Sequence, residues 1–242
     1  MHKKIDEPLF QFHGHAVGFA GRLTRPFDVP IDAIASCALP PSGGYASARS
    51  REGGYKLREI IRIGRIASQV TGSKHEEEGA WNTVCISTIE HLDILGQITA
   101  DRITAVLSVK RPFRGDPVFS LAGSRFENLR IAGERVDIEF HPNVERWAED
   151  AVRQDPKFNL HSTPPGFCVV TSAVANLRCS RVADAPNVVE IPQFGRIVLG
   201  EYWITPYSRS LTMFRAEMGC GYEGRLEGPN VGGNGVRYPP YP

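Results

Sequence analysis

Apolar and polar residues alternate with a period of two along most of the chain, the spacing that sends successive side chains to opposite faces of a strand. Over residues 10–23, Phe12, Gly14, Ala16, Gly18 and Ala20 alternate with Gln11, His13, His15, Val17 and Phe19. The small residues of the first set predict close approach of another backbone. Strands are also predicted over 31–39 and over 55–70, the second with a mixed facing pattern that fits partial cover by a partner. Residues 81–95 and 97–110 read as a hairpin around Gly96, rich in the Ile, Val and Thr that suit a pleated sheet. A second hairpin joins 126–131 to 135–140 through Ala132-Gly133-Glu134, where Gly133 supplies positive φ. Further strands are expected over 167–182, 188–191, 196–204 and 210–218, each bounded by Pro, Gly or Asn.

The period changes once. Val144, Trp147, Ala148, Ala151 and Val152 fall at i, i+3, i+4, i+7 and i+8, with Asn143 as N-cap and Pro156 beyond, which predicts an amphipathic helix over about 143–154. Residues 40–54 hold two Gly-Gly pairs and read as a flexible Gly/Pro/Ser loop, and 228–242 reads as a Gly/Pro-rich tail. The expected fold is therefore mainly β, an antiparallel β-sandwich or barrel-like domain with one helix, formed by residues 1–242 as a single unit.

Composition narrows the class without naming a function. Of 242 residues, 41% are hydrophobic, and 28 basic against 27 acidic side chains leave a formal charge of +1, which favours neither nucleic acid nor a membrane surface. No segment approaches the roughly 18 consecutive apolar residues of a membrane span. The first residues carry positive charge with no apolar run behind them, so no secretion signal is read and a cytoplasmic location is expected. Cys37, Cys85, Cys168, Cys179 and Cys220 show no CxxC spacing, and they read as buried thiols.

Three segments, Ile98-Thr-Ala-Asp-Arg-Ile-Thr-Ala, Phe126-Glu-Asn-Leu-Arg-Ile-Ala-Gly and Phe194-Gly-Arg-Ile-Val-Leu-Gly-Glu201, resemble the choice-of-anchor P family of uncharacterised bacterial β-proteins. The resemblance covers roughly the second half of the chain. It implies a surface or exported protein with no established activity and supplies no catalytic residue. The chain departs from that family in its missing signal peptide and in the helix after Asn143.

His13 and His15 share one face of the first strand, as two imidazole ligands of a divalent metal would, with His91 or Glu201 as candidates to complete the shell. Two histidines on an ordinary surface strand are the plainer reading, with no cofactor. His91 and Asp93 fall two apart, the spacing of a base and its orienting carboxylate, but Ser87, Ser108, Ser124 and Ser172 lie outside any GxSxG elbow. Arg49, Arg51, Arg58, Arg62 and Arg65 form a basic run interleaved with Tyr45 and Tyr55. Such a run suits phosphates or an acidic glycan, or, more simply, a solvated face or interface rim. Tyr202 and Trp203 point to opposite faces, so one of them is expected outside the core, with Tyr207, as an interface or carbohydrate contact.

The function read from these features is a noncatalytic structural or interaction protein. It would assemble with itself or a protein partner through strand edges and the Gly/Pro-rich arm and tail. The alternatives are a small β-barrel or jelly-roll enzyme with a metal at His13 and His15, and a carbohydrate-binding module using Trp203 and Tyr207.

Overall fold

The computed structural model describes residues 10–140, 166–168, 170–173, 180–182, 185–204 and 208–234. The helix expected over 143–154 lies outside them, and the described residues form strands and turns without a helix. In chain order the strands are β1 (His13–Val17), β2 (Phe19–Arg25), β3 (Val29–Ile34), β4 (Cys37–Ala38), β5 (Gly44–Arg49), β6 (Tyr55–Leu57) and β7 (Ile61–His75). They continue with β8 (Ala80–Ile94), β9 (Ile98–Pro112), β10 (Val118–Ser120), β11 (Arg125–Glu127), β12 (Arg130–Ile131), β13 (Glu134–Arg135) and β14 (Ile138–Phe140). The last are β15 (Gly166–Cys168), β16 (Val170–Ala173), β17 (Ser180–Val182), β18 (Ala185–Ile191), β19 (Gly195–Ile204), β20 (Arg209–Cys220) and β21 (Tyr222–Asn234).

Two antiparallel sheets pack face to face as a β-sandwich. The first runs β17-β18-β19-β20-β21-β1-β4, with β15 beside β19 and with β2 linking β21 to β3. The second runs β13-β12-β9-β8-β7-β5, with β10 and β11 on β9 and β6 on β7. A short β14-β16 pair stands apart in the pairing. One apolar cluster joins the inner faces, including Phe19, Ile66, Ile89, Ile103, Leu107, Tyr202 and Phe214. Each such side chain taken fully out of water contributes about 1.5–3 kcal/mol before entropy is charged against it.

The small face of β1 does what its alternation predicts. A Cβ on Gly14 would lie 2.9 Å from the Cys85 Sγ, so the first sheet approaches β8 more closely there than larger residues would permit. Across that contact the Ser87 hydroxyl donates to the Val17 carbonyl at 3.1 Å and the Cys85 thiol to the Gly232 carbonyl at 3.4 Å. The expected single strand over 10–23 is, however, two strands. It breaks at Gly18, whose N–H turns aside to the Ile34 carbonyl at 3.0 Å.

The hairpin around Gly96 forms, and the one around Gly133 forms only in its inner part, Arg130–Ile131 against Glu134–Arg135, since 125–127 pairs with β9 and 138–140 with β16. Leu95 and Gly96 take φ of 54° and 63° between β8 and β9, and Ala132 and Gly133 take 51° and 83° between β12 and β13, where Ile131 pairs with Glu134. The loop expected over 40–54 is corrected: Gly43 turns the chain, and Gly44–Arg49 then pairs with β7 as an ordinary strand of small residues. The tail expected from 228 is corrected in the same way through Asn234. Residues 228–234 belong to β21, an interior strand of the first sheet. Their glycines are there for space, since a Cβ on Gly228 would lie 2.2 Å from the Gly18 carbonyl oxygen. Pro229 belongs to neither flanking ladder, falling at the break between the β1-paired and β2-paired halves, so its missing N–H costs no pairing.

Candidate functional site

His13 and His15 do share the outward face of β1. His13 is exposed, while His15 is half-buried with its ring across Gly232, where an added Cβ would lie 2.4 Å from Cε1. Burial, and then the neighbouring His13, push the His15 pKa below 6.5, which keeps a neutral imidazole at neutral pH. The residues considered as completing a metal shell are not brought to it. Glu201 sits on β19, separated from β1 by β20 and β21, so its row is three strand spacings away, about 14 Å, against a ligand distance of about 2 Å. It accepts from Arg215 at 2.9 Å, and burial raises its pKa. His91 belongs to the other sheet. Among the described residues no three His, Cys, Asp or Glu side chains form a metal-sized group.

The His91 and Asp93 pairing also dissolves. His91 takes φ of 54°, which interrupts the β8 alternation, and it stays exposed beside Gly64. Asp93 instead accepts the Gly96 N–H at 2.7 Å and closes the hairpin. The Ser87 hydroxyl is buried against the Ser68 hydroxyl at 2.8 Å, and Ser124 is bonded to both backbone groups of Val106, so both act structurally. Tyr202 is fully buried, which removes it from any contact surface, and Trp203 faces the other way, half-buried. Tyr207 lies outside the described residues.

The basic run separates into individual roles. Arg58 stacks on the Phe27 ring at 3.8 Å and Arg62 pairs with Glu59. Arg49 and Arg65 remain on the outer face of the second sheet, beside a trough of about 270 Å³ lined by Arg65, Ala67, Thr88, Glu90, Arg102, Thr104 and Arg125. The register explains the trough. Arg49, Ala67, Thr88, Thr104 and Arg125 stand opposite one another across β5, β7, β8, β9 and β11, giving a floor of small side chains between two guanidinium groups. The adjacent row is Arg65, Glu90, Arg102 and Glu127. Arg102 donates to Glu90 at 3.0 Å, and Arg125 Nε to Glu127 at 2.6 Å.

The trough residues of β8, β9 and β11 are not visible as a set in the sequence, because only pairing brings them into one row. A larger open cleft, about 600 Å³, lies at the β18-β19 turn around Glu190, Gln193, Phe194 and Met218, where Arg196 and Glu217 are already paired at 2.5 Å. The edges of the second sheet carry the two exposed large hydrophobic side chains of the described residues, Tyr45 on β5 at 63% exposure and Val118 on β10 at 60%.

A family model with the description "Domain of unknown function (DUF8256)" matches residues 10–164, more than half of the chain. No curated protein and no solved structure matches. No helix of the described residues is long and apolar enough to cross a membrane.

Proposed function

The chain belongs to the DUF8256 family, whose description carries no activity, and from the chain's own surface we propose a noncatalytic β protein that assembles with copies of itself. The observation that carries this reading is the placement of Tyr45 and Val118. These exposed apolar side chains sit on strands at opposite edges of one sheet, and each strand has a single pairing partner among the described residues, β7 for β5 and β9 for β10. Tyr45 shares its row with Thr71, Val84 and Ser108, and Val118 is opposite Lys110, one row away on the same face.

Edge strands usually carry proline, lysine or an inward charge that discourages pairing. β5 reads Gly-Tyr-Ala-Ser-Ala-Arg and has none of these within its first five residues. Setting β5 of one copy beside β10 of the next would continue the sheet through main-chain hydrogen bonds and cover both apolar side chains. The contact is head to tail, so it builds a ring or a filament rather than a two-fold dimer. The interior position of residues 228–234 means that, of the two segments first considered for assembly, the arm around β5 is the one with an edge to offer.

Sedimentation velocity over a range of protein concentrations tests this. The expected result is a mass that rises with concentration, monomers for Tyr45→Lys and for Val118→Lys alone, and a dimer when the two variants are mixed, since each retains the edge the other lacks. A single-chain mass at every concentration for the unaltered protein overturns the proposal.

A further inference from the structure

We infer that the trough on the outer face of the second sheet binds an acidic oligosaccharide, a chain of hexuronate units lying across the strands. Two positive groups at one end are uncommitted. Arg49 and Arg65 form no ion pair among the described residues, and Arg65 lies two positions along β7 from the Ala67 that Arg49 faces. That diagonal places their backbones about 7–8 Å apart. Glu90, opposite Arg65, is paired with Arg102, so two like charges stand side by side on a rigid sheet with no carboxylate in ion-pair contact among the described residues, and an anion between them relieves their repulsion. At the other end Arg102 and Arg125 share Glu90 and Glu127.

The rest of the lining decides which anion fits. A phosphate chain would meet the Glu90 carboxylate in the trough, and repulsion would offset much of the arginine attraction. A hexuronate chain bears one planar carboxylate per ring, matched to a guanidinium fork, and many hydroxyl groups. Those hydroxyls can donate to Glu90 and exchange hydrogen bonds with Thr88 and Thr104. Ala67 and the two threonines leave a low floor on which a chain can rest. From Arg49 to Arg125 the row crosses five strands, four spacings or about 19 Å, the reach of a short oligosaccharide rather than of one sugar. The trough lies on the sheet face and reaches the edge invoked for assembly only at Arg49, at the opposite end of β5 from Tyr45, and the two proposals are tested with different variants, so either can fail without the other.

Titration calorimetry at low salt with tetragalacturonate tests the site, with maltotetraose, inorganic phosphate and single-stranded DNA as comparison ligands. Binding of the acidic tetramer alone is expected, and it should weaken by about tenfold or more in Arg49→Ala/Arg65→Ala, the loss of at least one charge-assisted contact. Because neither arginine forms an ion pair among the described residues, the double variant should melt at the temperature of the unaltered protein, which separates lost binding from lost folding. Absence of binding by the unaltered protein overturns the inference, as does equal binding by the double variant. Displacement of the tetramer by phosphate at matched ionic strength, or tighter binding of DNA, overturns the carbohydrate assignment.

Discussion

His15, Gly232 and Cys85 make a stack through the first sheet, with an imidazole outside, a bare backbone in the middle and a thiol inside donating to that backbone's carbonyl. The stack leaves no room for a methyl group. Gly232→Ala would place a Cβ 2.4 Å from the His15 ring, and displacing the ring should cost about 1–3 kcal/mol, read as a lower urea midpoint with an unchanged slope. The same stack sets a pH dependence. His15 has a lowered pKa in the fold and an ordinary one near 6.5 in the unfolded chain, so the unfolded state binds more protons as the pH falls. The contribution of His15 is therefore fully present above about 6.5. It declines as the pH drops below that value, until His15 is protonated in the folded state as well. Replacing His15 with Gln should flatten the dependence of melting temperature on pH between about 5 and 7. An unchanged slope would mean that the ring is not desolvated.

At the scale of single elements, β8 shows how a strand can be both legible and misleading. Its limits, its hairpin to β9 and the burial of Cys85 follow from alternation, a Gly after an αL residue and an apolar setting for the thiol. The break at His91 does not, because a positive φ on histidine leaves no mark in the period, and everything inferred from residues 91 and 93 sharing a face fails with it. β5 and β21 were hidden for a related reason. Glycine reads as loop by backbone entropy, yet in β21 it marks a strand whose neighbours leave no space for a side chain, and before β5 the turn ends with Gly43, packed against Phe12. The trough was beyond reach because register is a property of pairs of strands, and the sequence lists them one at a time. The Ser68-Ser87 pair on β7 and β8 offers a quantitative check. Ser87→Ala leaves the buried Ser68 hydroxyl and the Val17 carbonyl short of a partner and should cost about 1–3 kcal/mol by equilibrium denaturation. Removing both hydroxyls in Ser68→Ala/Ser87→Ala should cost less than the sum of the single changes.

For the whole molecule, the interface between the sheets is the unit that stability measures. Burial pushes the Cys85 thiol up to about 12, and its Sγ lies against Gly14 and Gly233 and donates to the Gly232 carbonyl. Thiol alkylation of the peptide containing Cys85 should therefore follow global opening. It should be slow without denaturant and accelerate steeply as urea approaches the midpoint. Fast labelling in native buffer would mean that the sheets part locally. The order of strands in the first sheet adds one more consequence. β1 and β2 are held by β21, the last described strand, whereas β7, β8 and β9 follow one another and pair in sequence. As the polypeptide leaves the ribosome, the three-strand meander can form from what has already emerged, and β1 and β2 can pair with β4 and β3, but the edges that β1 and β2 present to β21 stay open until residues 222–234 are made. A nascent chain stalled before residue 222 would thus expose the unpaired edges of β1 and β2, the kind of open strand edge that invites aggregation.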